Sequence, residues 1–139
     1  MKAFVTGVGG QLGHDIVNEL AKRGHQAVGS DIAPVYSGIA DGSAVCNAPY
    51  VQLDITDAAA VERVLLAEKP EVVIHCAAWT AVDAAEEPEN IPKVRAINAQ
   101  GTQNIATVCK ALDCKMIYIS LSHNLYSSLV FFLQAFHSF

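Results

Sequence analysis

The first apolar run of the chain, Ala3-Phe4-Val5, is closed by Thr6 and Gly7, and apolar residues then return at helical spacing at Leu12, Ile16, Val17 and Leu20 before Gly24. The two periods predict a strand, a turn and a helix whose apolar stripe faces a core. "QAVGSDI" is a second strand, and beyond the Gly/Ser/Ala/Pro-rich stretch 33–49, "YVQLDIT" reads as a short third one. Thr56 or Asp57 is placed to cap the helix in "AAAVERVLLAEK", with Ala58, Val61, Val64 and Leu65 on one face. "PEVVIHCAA" is the unbroken apolar run of a strand buried on both sides. From Asp83, itself read as a helix cap, the composition turns helical. Pro88 and Pro92 interrupt it, and because proline fits a helix start, a long helix is expected from about Pro92 to Leu112. "CKMIYIS" is a fifth strand. Alternation of strand and helix implies an α/β, doubly wound parallel sheet of about five strands with helices on both faces.

Composition narrows this picture. A chain of 139 residues is the size of one domain, and 52% hydrophobic with 17% charged residues fits a folded α/β core. A net charge of -5 without a Lys/Arg cluster argues against nucleic acid or an anionic membrane as partner, since both demand a positive patch. Cys46, Cys76, Cys109 and Cys114 form no CxxC pair, so no metal site or redox dithiol is signalled and reduced core thiols are expected. "MKAFVTG" reaches glycine too early for a signal peptide, which makes a cytoplasmic location the expectation. The run Leu129 to Leu133 is far shorter than the about 20 residues a membrane span takes.

Candidate chemistry begins at "TGVGGQLG", where Gly7, Gly10 and Gly13 stand at intervals of three between the first strand and the first helix. A tight turn, a close backbone approach to a ligand and close helix–strand packing each call for glycine there. The amides at the start of the helix and its positive dipole end suit a pyrophosphate. No Lys-Ser or Lys-Thr follows, which disfavours a nucleoside triphosphate loop. Asp31 lies 18 residues past Gly13, at the end of the second strand, where a carboxylate accepts hydrogen bonds from an adenosine ribose. With no Arg or Lys between Ser30 and Ala44, NAD is favoured over NADP. Asp54 is a second strand-end carboxylate, able to reach the adenine amino group with Ile55 flanking the ring, or else a turn residue before the cap. A methyltransferase using S-adenosylmethionine is the competing class; Gly13 and "AAWTAVD" argue against it.

"TGVGGQLG", "LDIT", "HCAAWTAVDAAE" and "INAQGT" together resemble the extended branch of the short-chain dehydrogenase/reductase superfamily, most closely the dTDP-4-dehydrorhamnose reductases, over about residues 1–120. Nucleoside-diphosphate-sugar epimerases and dehydratases and the regulatory subunit of methionine adenosyltransferase are similar too. The resemblance implies a Rossmann-type NAD(P)-binding domain over residues 1–120, with NADPH or NADH as cofactor. It implies hydride transfer to a nucleotide-linked keto-deoxysugar in dTDP-rhamnose biosynthesis, and it leaves a homodimer open. Gly7, Gly10, Gln11, Leu12 and Gly13 would cradle the pyrophosphate. Asp31 would hold the adenosine ribose, and Asp54 with Ile55 the adenine. Ala77, Ala78, Trp79 and Thr80 would line the cofactor toward the nicotinamide. Asn98 matches an Asn that serves the active-site proton relay in this superfamily. His14, His25 and His75 are read as structural, His75 standing where the family often has Asn.

The resemblance also implies a catalytic Ser or Thr just after the fifth strand, and a Tyr with a Lys four residues later. Leu121 occupies the place of that hydroxyl, and Ser122, one residue on, alternates to the other face of an extended strand. The last Lys is Lys115, and Tyr126 is followed at the required spacing by Val130. No catalytic residue is therefore assigned, and the family's C-terminal substrate domain is missing. Residues 121–139 hold no Asp, Glu, Lys or Arg. This atypical apolar tail is read as a truncated or frame-shifted end; Leu125, Leu129, Phe132 and Leu133 share a helical face if it folds. A chain inactive alone is expected, with a non-catalytic dinucleotide-binding regulatory module as the alternative.

Overall fold

The computed structural model describes residues 1–36, 38, 48–122 and 130–136, with the backbone alone for Val82 and from residue 120 onward. Strands β1 (Lys2–Thr6), β2 (Gln26–Asp31), β3 (Tyr50–Gln52), β4 (Val72–His75), β5 (Lys115–Ser122) and β6 (Val130–Phe136) form one sheet in the order β3-β2-β1-β4-β5-β6. The first five are mutually parallel and β6 pairs antiparallel with β5. The chain moves outward from β1 to β3 and then returns to the other side of β1 through β4. The topological switch point, where open parallel sheets hold ligands, therefore lies between β1 and β4.

Side-chain alternation along the strands sorts the core into two layers. Ala3, Val5, Val72 and Ile74 face helix α1 (Gln11–Lys22) and pack with Val17 and Leu20. Phe4, Val28, Val73 and Met116 face helices α2 (Ala58–Glu68) and α5 (Thr102–Ala111), with Val61, Leu65 and Ile105 beneath them. Asp57 caps α2, its carboxylate accepting the Ala60 N–H at 3.0 Å. The long helix expected from Pro92 is present in three parts: α4 (Ile91–Arg95), a π-helical turn over Ala96–Gly101, and α5.

Four expectations need correction. Leu12 is 43% exposed, and the buried face of α1 is made by Gly13, His14, Val17 and Leu20, because Gly13, one residue on, is the position that rests against the Gly7 turn and so sets which side of the helix faces the core. Ala58 is exposed and Ala60 takes its place in the core. Asp83 does not cap: it sits within the first turn of α3 (Val82–Ala85), whose cap position is Ala81, and there its charge complements the helix dipole. Residues 130–136 form a strand and not a helix. The β-branched and aromatic run "VFFLQAF" suits a pleated surface, and the free edge of β5 offers a template for it. Cys46, Leu125, Tyr126 and Leu129 lie outside the described residues, as does most of the segment between β2 and β3.

Candidate functional site: the cleft at the switch point

The turn after β1 is fixed from both sides. The N–H groups of Gly7 and Val8 donate to the Ser30 carbonyl at the end of β2, at 2.8 and 3.2 Å, and Gly10 N–H donates to Gly7 O at 3.1 Å. Gly7 adopts φ +74°, and a Cβ there would come within 2.7 Å of the Ala77 backbone. Only glycine satisfies both conditions. A Cβ on Gly13 would overlap the carbonyl oxygen of Gly7, so α1 rests directly on the turn. Its first intrahelical bond is His14 N–H to Gly10 O, which leaves the amides of Gln11, Leu12 and Gly13 at the helix start without an intrahelical acceptor.

Above this turn runs a cleft that opens along the C-terminal ends of β3, β2, β1 and β4. Among the described residues it is lined by Gly7 and Gly10 at the centre, by Asp31, Asp54 and Ile55 on one side, and by Ala77 and Ala78 on the other. These seven belong to the set expected from sequence. Gln11 and Leu12 stand exposed at the start of α1 and Gly13 lies beneath the turn. Trp79, Thr80 and Asn98 do not line the cleft. The carboxylate of Asp31 turns toward the glycines, accepting from Gly9 N–H at 2.8 Å and from Ile32 N–H at 2.7 Å. Asp54 holds an Asx turn, with one oxygen taking the Thr56 N–H and hydroxyl at 2.9 and 2.7 Å. Both readings of Asp54, cleft carboxylate and turn residue, are met at once.

A polar row that local sequence pattern does not reveal lies one step below the rim. Register pairs Ser30 with Thr6, Thr6 with His75, and His75 with Tyr118, so four adjacent strands carry polar side chains at one level on one face. A polar residue ending an apolar strand run is the only local signal for such a row; the cross-strand register that assembles it is tertiary. Thr6 Oγ1 lies 2.7 Å from His75 Nδ1, and His75 Nε2 lies 3.1 Å from Thr102 Oγ1. The Thr102 hydroxyl donates to the Asn98 carbonyl at 2.9 Å, so it must accept from His75 Nε2–H. That fixes the tautomer: Nδ1 is bare and accepts the Thr6 proton. The Thr6 oxygen in turn accepts the N–H groups of Cys76 and Ala77, each at 3.2 Å. His75 is fully buried and stacked on Tyr118, and burial pushes its pKa down to about 4. The structural role expected for His75 is thus explicit: it props the loop that forms one wall of the cleft.

Asn98 secures the same loop from the helix side. Its Oδ1 accepts Trp79 N–H at 2.7 Å and its Nδ2 donates to Trp79 O at 3.3 Å. The widened π-helical turn supplies both Asn98 and the carbonyl that receives Thr102, a device frequent at functional sites. Cys76 lines the cleft, but burial raises its thiol to about 11, so no thiolate nucleophile stands there at neutral pH. Among the described residues no group of His, Cys, Asp and Glu is arranged to hold a metal ion, and no helix is long and apolar enough to cross a membrane.

Sheet order, glycine turn and cleft define a Rossmann-type α/β protein with its groove at the switch point of the sheet. The chain belongs to the family described as RmlD substrate binding domain, which residues 1–123 match. It is 37% identical over 123 residues to a dTDP-4-dehydrorhamnose reductase of Mycolicibacterium smegmatis, covering 88% of this chain and 31% of that protein. The crystal structure of a dTDP-4-dehydrorhamnose reductase from Clostridium acetobutylicum superposes with a TM-score of 0.65 at 33% identity, over 84% of this chain and 34% of that one. A UDP-glucose 4-epimerase of Thermus thermophilus, solved in complex with NAD, gives a TM-score of 0.68 at 27% identity over 81% and 34% of the two chains. The chain spans about a third of the length of the curated relatives it matches.

Proposed function

We propose that residues 1–120 form the nicotinamide-dinucleotide half of an oxidoreductase that reduces a nucleotide-linked keto-deoxysugar, as a dTDP-4-dehydrorhamnose reductase does. The observation that carries this reading is the glycine turn, which is pinned to β2, roofed by bare α1 amides and placed at the switch point. The residues present fit the group. Gly7 and Gly13 keep the turn flat where any side chain would collide with backbone, and Asp31 is held facing it by the Gly9 N–H. The cleft, of about 240 Å³, is below the roughly 300–1,000 Å³ of complete small-molecule sites, so it takes one part of a dinucleotide while the rest lies along the open rim.

In this reading Gly7, Gly10, Gln11, Leu12 and Gly13 present amides to the pyrophosphate, Asp31 accepts from the adenosine ribose, and Asp54 with Ile55 borders the adenine. Ala77, Ala78, Trp79 and Thr80 bound the nicotinamide end, with Asn98 acting through Trp79. The bound coenzyme supplies hydride. Asp31, with no Lys or Arg among the described cleft residues, favours NADH over NADPH, because a 2′-phosphate there meets a like charge with nothing to neutralise it. Turnover by these 139 residues alone is not part of the reading: by the resemblance Leu121 falls where the family carries its hydroxyl, and within residues 1–139 no Tyr is followed by Lys at a spacing of four after β5. The alternative reading is a non-catalytic dinucleotide-binding module. Calorimetric titration tests the core of both. Saturable binding of NADH, weaker binding of NADPH and no reduction of a dTDP-keto-sugar is the expected pattern. Absence of heat with both coenzymes, or saturable binding of S-adenosylmethionine in their place, overturns the reading.

A further inference from the structure

Five polar side chains are buried in the described part of the fold: Thr6, His14, Ser30, His75 and Asn104. Four have partners. Thr6 and His75 belong to the row described above, His14 meets Tyr36 and Asn18, and Asn104 donates to the Ile55 carbonyl. Ser30 is 1% exposed, and its hydroxyl has no partner among the described residues. A buried hydroxyl left without a hydrogen bond is costly, and such an exception in a native fold marks a missing ligand or water.

The surroundings of Ser30 leave it one direction. Its neighbours across the sheet are Val51, which offers no side-chain partner, and Thr6. Thr6 is saturated: its proton goes to His75, and both acceptor positions receive backbone N–H groups of Cys76 and Ala77. Asp31, one residue on, points to the opposite face, where Gly9 N–H engages it. What remains is the cleft, whose wall Ser30 lines. Within the cleft Ser30 belongs to the side formed by β2 and β3, together with Asp31, Leu53 and Asp54; the glycine turn on β1 separates that side from Ala77 and Ala78 after β4.

We infer that Ser30 is a ligand-binding residue whose hydroxyl completes its hydrogen bonding on the adenosine moiety of a bound dinucleotide, beside the glycine turn. The assignment rests on the coenzyme reading above. It adds to that reading a specific contact, and it accounts for a polar side chain in the buried stretch Val28–Ser30 of β2. An orphan hydroxyl also makes an unusual prediction about the free protein: its removal relieves a penalty where no ligand is present, so Ser30→Ala leaves the ligand-free chain at least as stable as the parent.

The test compares the parent chain with Ser30→Ala and Ser30→Thr, by thermal unfolding without ligand and by calorimetric titration with NADH, ADP-ribose and nicotinamide mononucleotide. ADP-ribose carries the adenosine and pyrophosphate without the nicotinamide; the mononucleotide lacks the adenosine. In Ser30→Ala, affinity for NADH and for ADP-ribose should fall together by about fivefold to tenfold, the effect of one hydrogen bond, with the melting temperature unchanged or raised. Affinity for the mononucleotide should be unaltered, and Ser30→Thr, which keeps the hydroxyl, should bind NADH more tightly than Ser30→Ala does. Parent-like affinity of Ser30→Ala for NADH and ADP-ribose, with the parent binding both, overturns the Ser30 assignment alone and leaves a buried water as its partner. A parent chain that binds none of the three overturns the coenzyme reading, and the Ser30 assignment falls with it.

Discussion

His75 shows how one side chain transmits pH to the wall of the cleft. Its ring donates through Nε2 and accepts through Nδ1, and the Thr6 oxygen on the accepting side already receives two backbone N–H groups. A second ring proton would have no acceptor. The unfolded ring takes its proton near pH 6.5 and the folded ring near 4, so between those values the unfolded chain binds more protons and acid favours unfolding. This contribution is complete above about pH 6.5 and is lost as pH falls toward 4, and it amounts to roughly 3 kcal/mol. Urea unfolding at pH 7, 5.5 and 4.5 should show the decline. In His75→Phe, which keeps an aromatic ring against Tyr118 but cannot titrate, the slope over this window should flatten, while stability at pH 7 drops by about 2 kcal/mol because the Thr6 proton loses its acceptor. Gly7→Ala is the backbone counterpart. Its positive φ and its contact with Ala77 both resist a methyl group, and a loss of about 2 kcal/mol in the same unfolding measurement is expected.

At the level of elements, the loop after β4 is held by two devices that arrive from different parts of the chain: the Thr6–His75 pair from the sheet and Asn98 from the π-helical turn. Trp79 is the single tryptophan of the chain, so its fluorescence reports on that loop. Asn98→Ala removes both bonds to the Trp79 backbone, and the emission should shift to the red with a loss of about 1–2 kcal/mol in stability. Asn98→Asp keeps an acceptor for Trp79 N–H and should lie between. Parent-like emission in Asn98→Ala would show that other contacts fix the loop. The same elements mark what the sequence reveals and what it does not. β1, α1, the glycine turn and the capped α2 were legible because each is written in local period, cap and turn chemistry. Leu12 misleads because helical spacing gives a period but not which neighbouring face the sheet covers. The π-helical turn has no distinct composition, and β6 depends on a partner edge far along the chain. Of the candidate site, the glycines and Asp31 announced themselves through spacing, whereas Thr6, Ser30 and His75 assemble only through strand register.

Across the whole molecule, β1 and β4 are flanked on both sides by strands and covered by helices on both faces, whereas β3 is a three-residue edge and β6 closes the opposite edge. Resistance to local opening should follow that order, since it rises with burial and with the number of paired neighbours. In native-state hydrogen exchange the amides of Phe4, Val5, Val73 and Ile74 should therefore be the slowest, with β3 and β6 exchanging earlier. A ligand that binds the folded chain alone adds stability by mass action, about 2.7 kcal/mol at a hundredfold excess over the dissociation constant. The place where that protection appears carries the information. A dinucleotide lying along the strand ends should slow exchange at Gly7 to His14, at Ser30 to Ile32 and at Cys76 to Thr80. The opposite end of the sheet, around Lys2, Gln26 and Glu71, should gain only the share that comes from suppressing global unfolding. Equal protection at both ends would mean that the ligand acts through overall stability without occupying the cleft, and protection confined to the Lys2 end would place its site on the wrong side of the sheet for any chemistry proposed above.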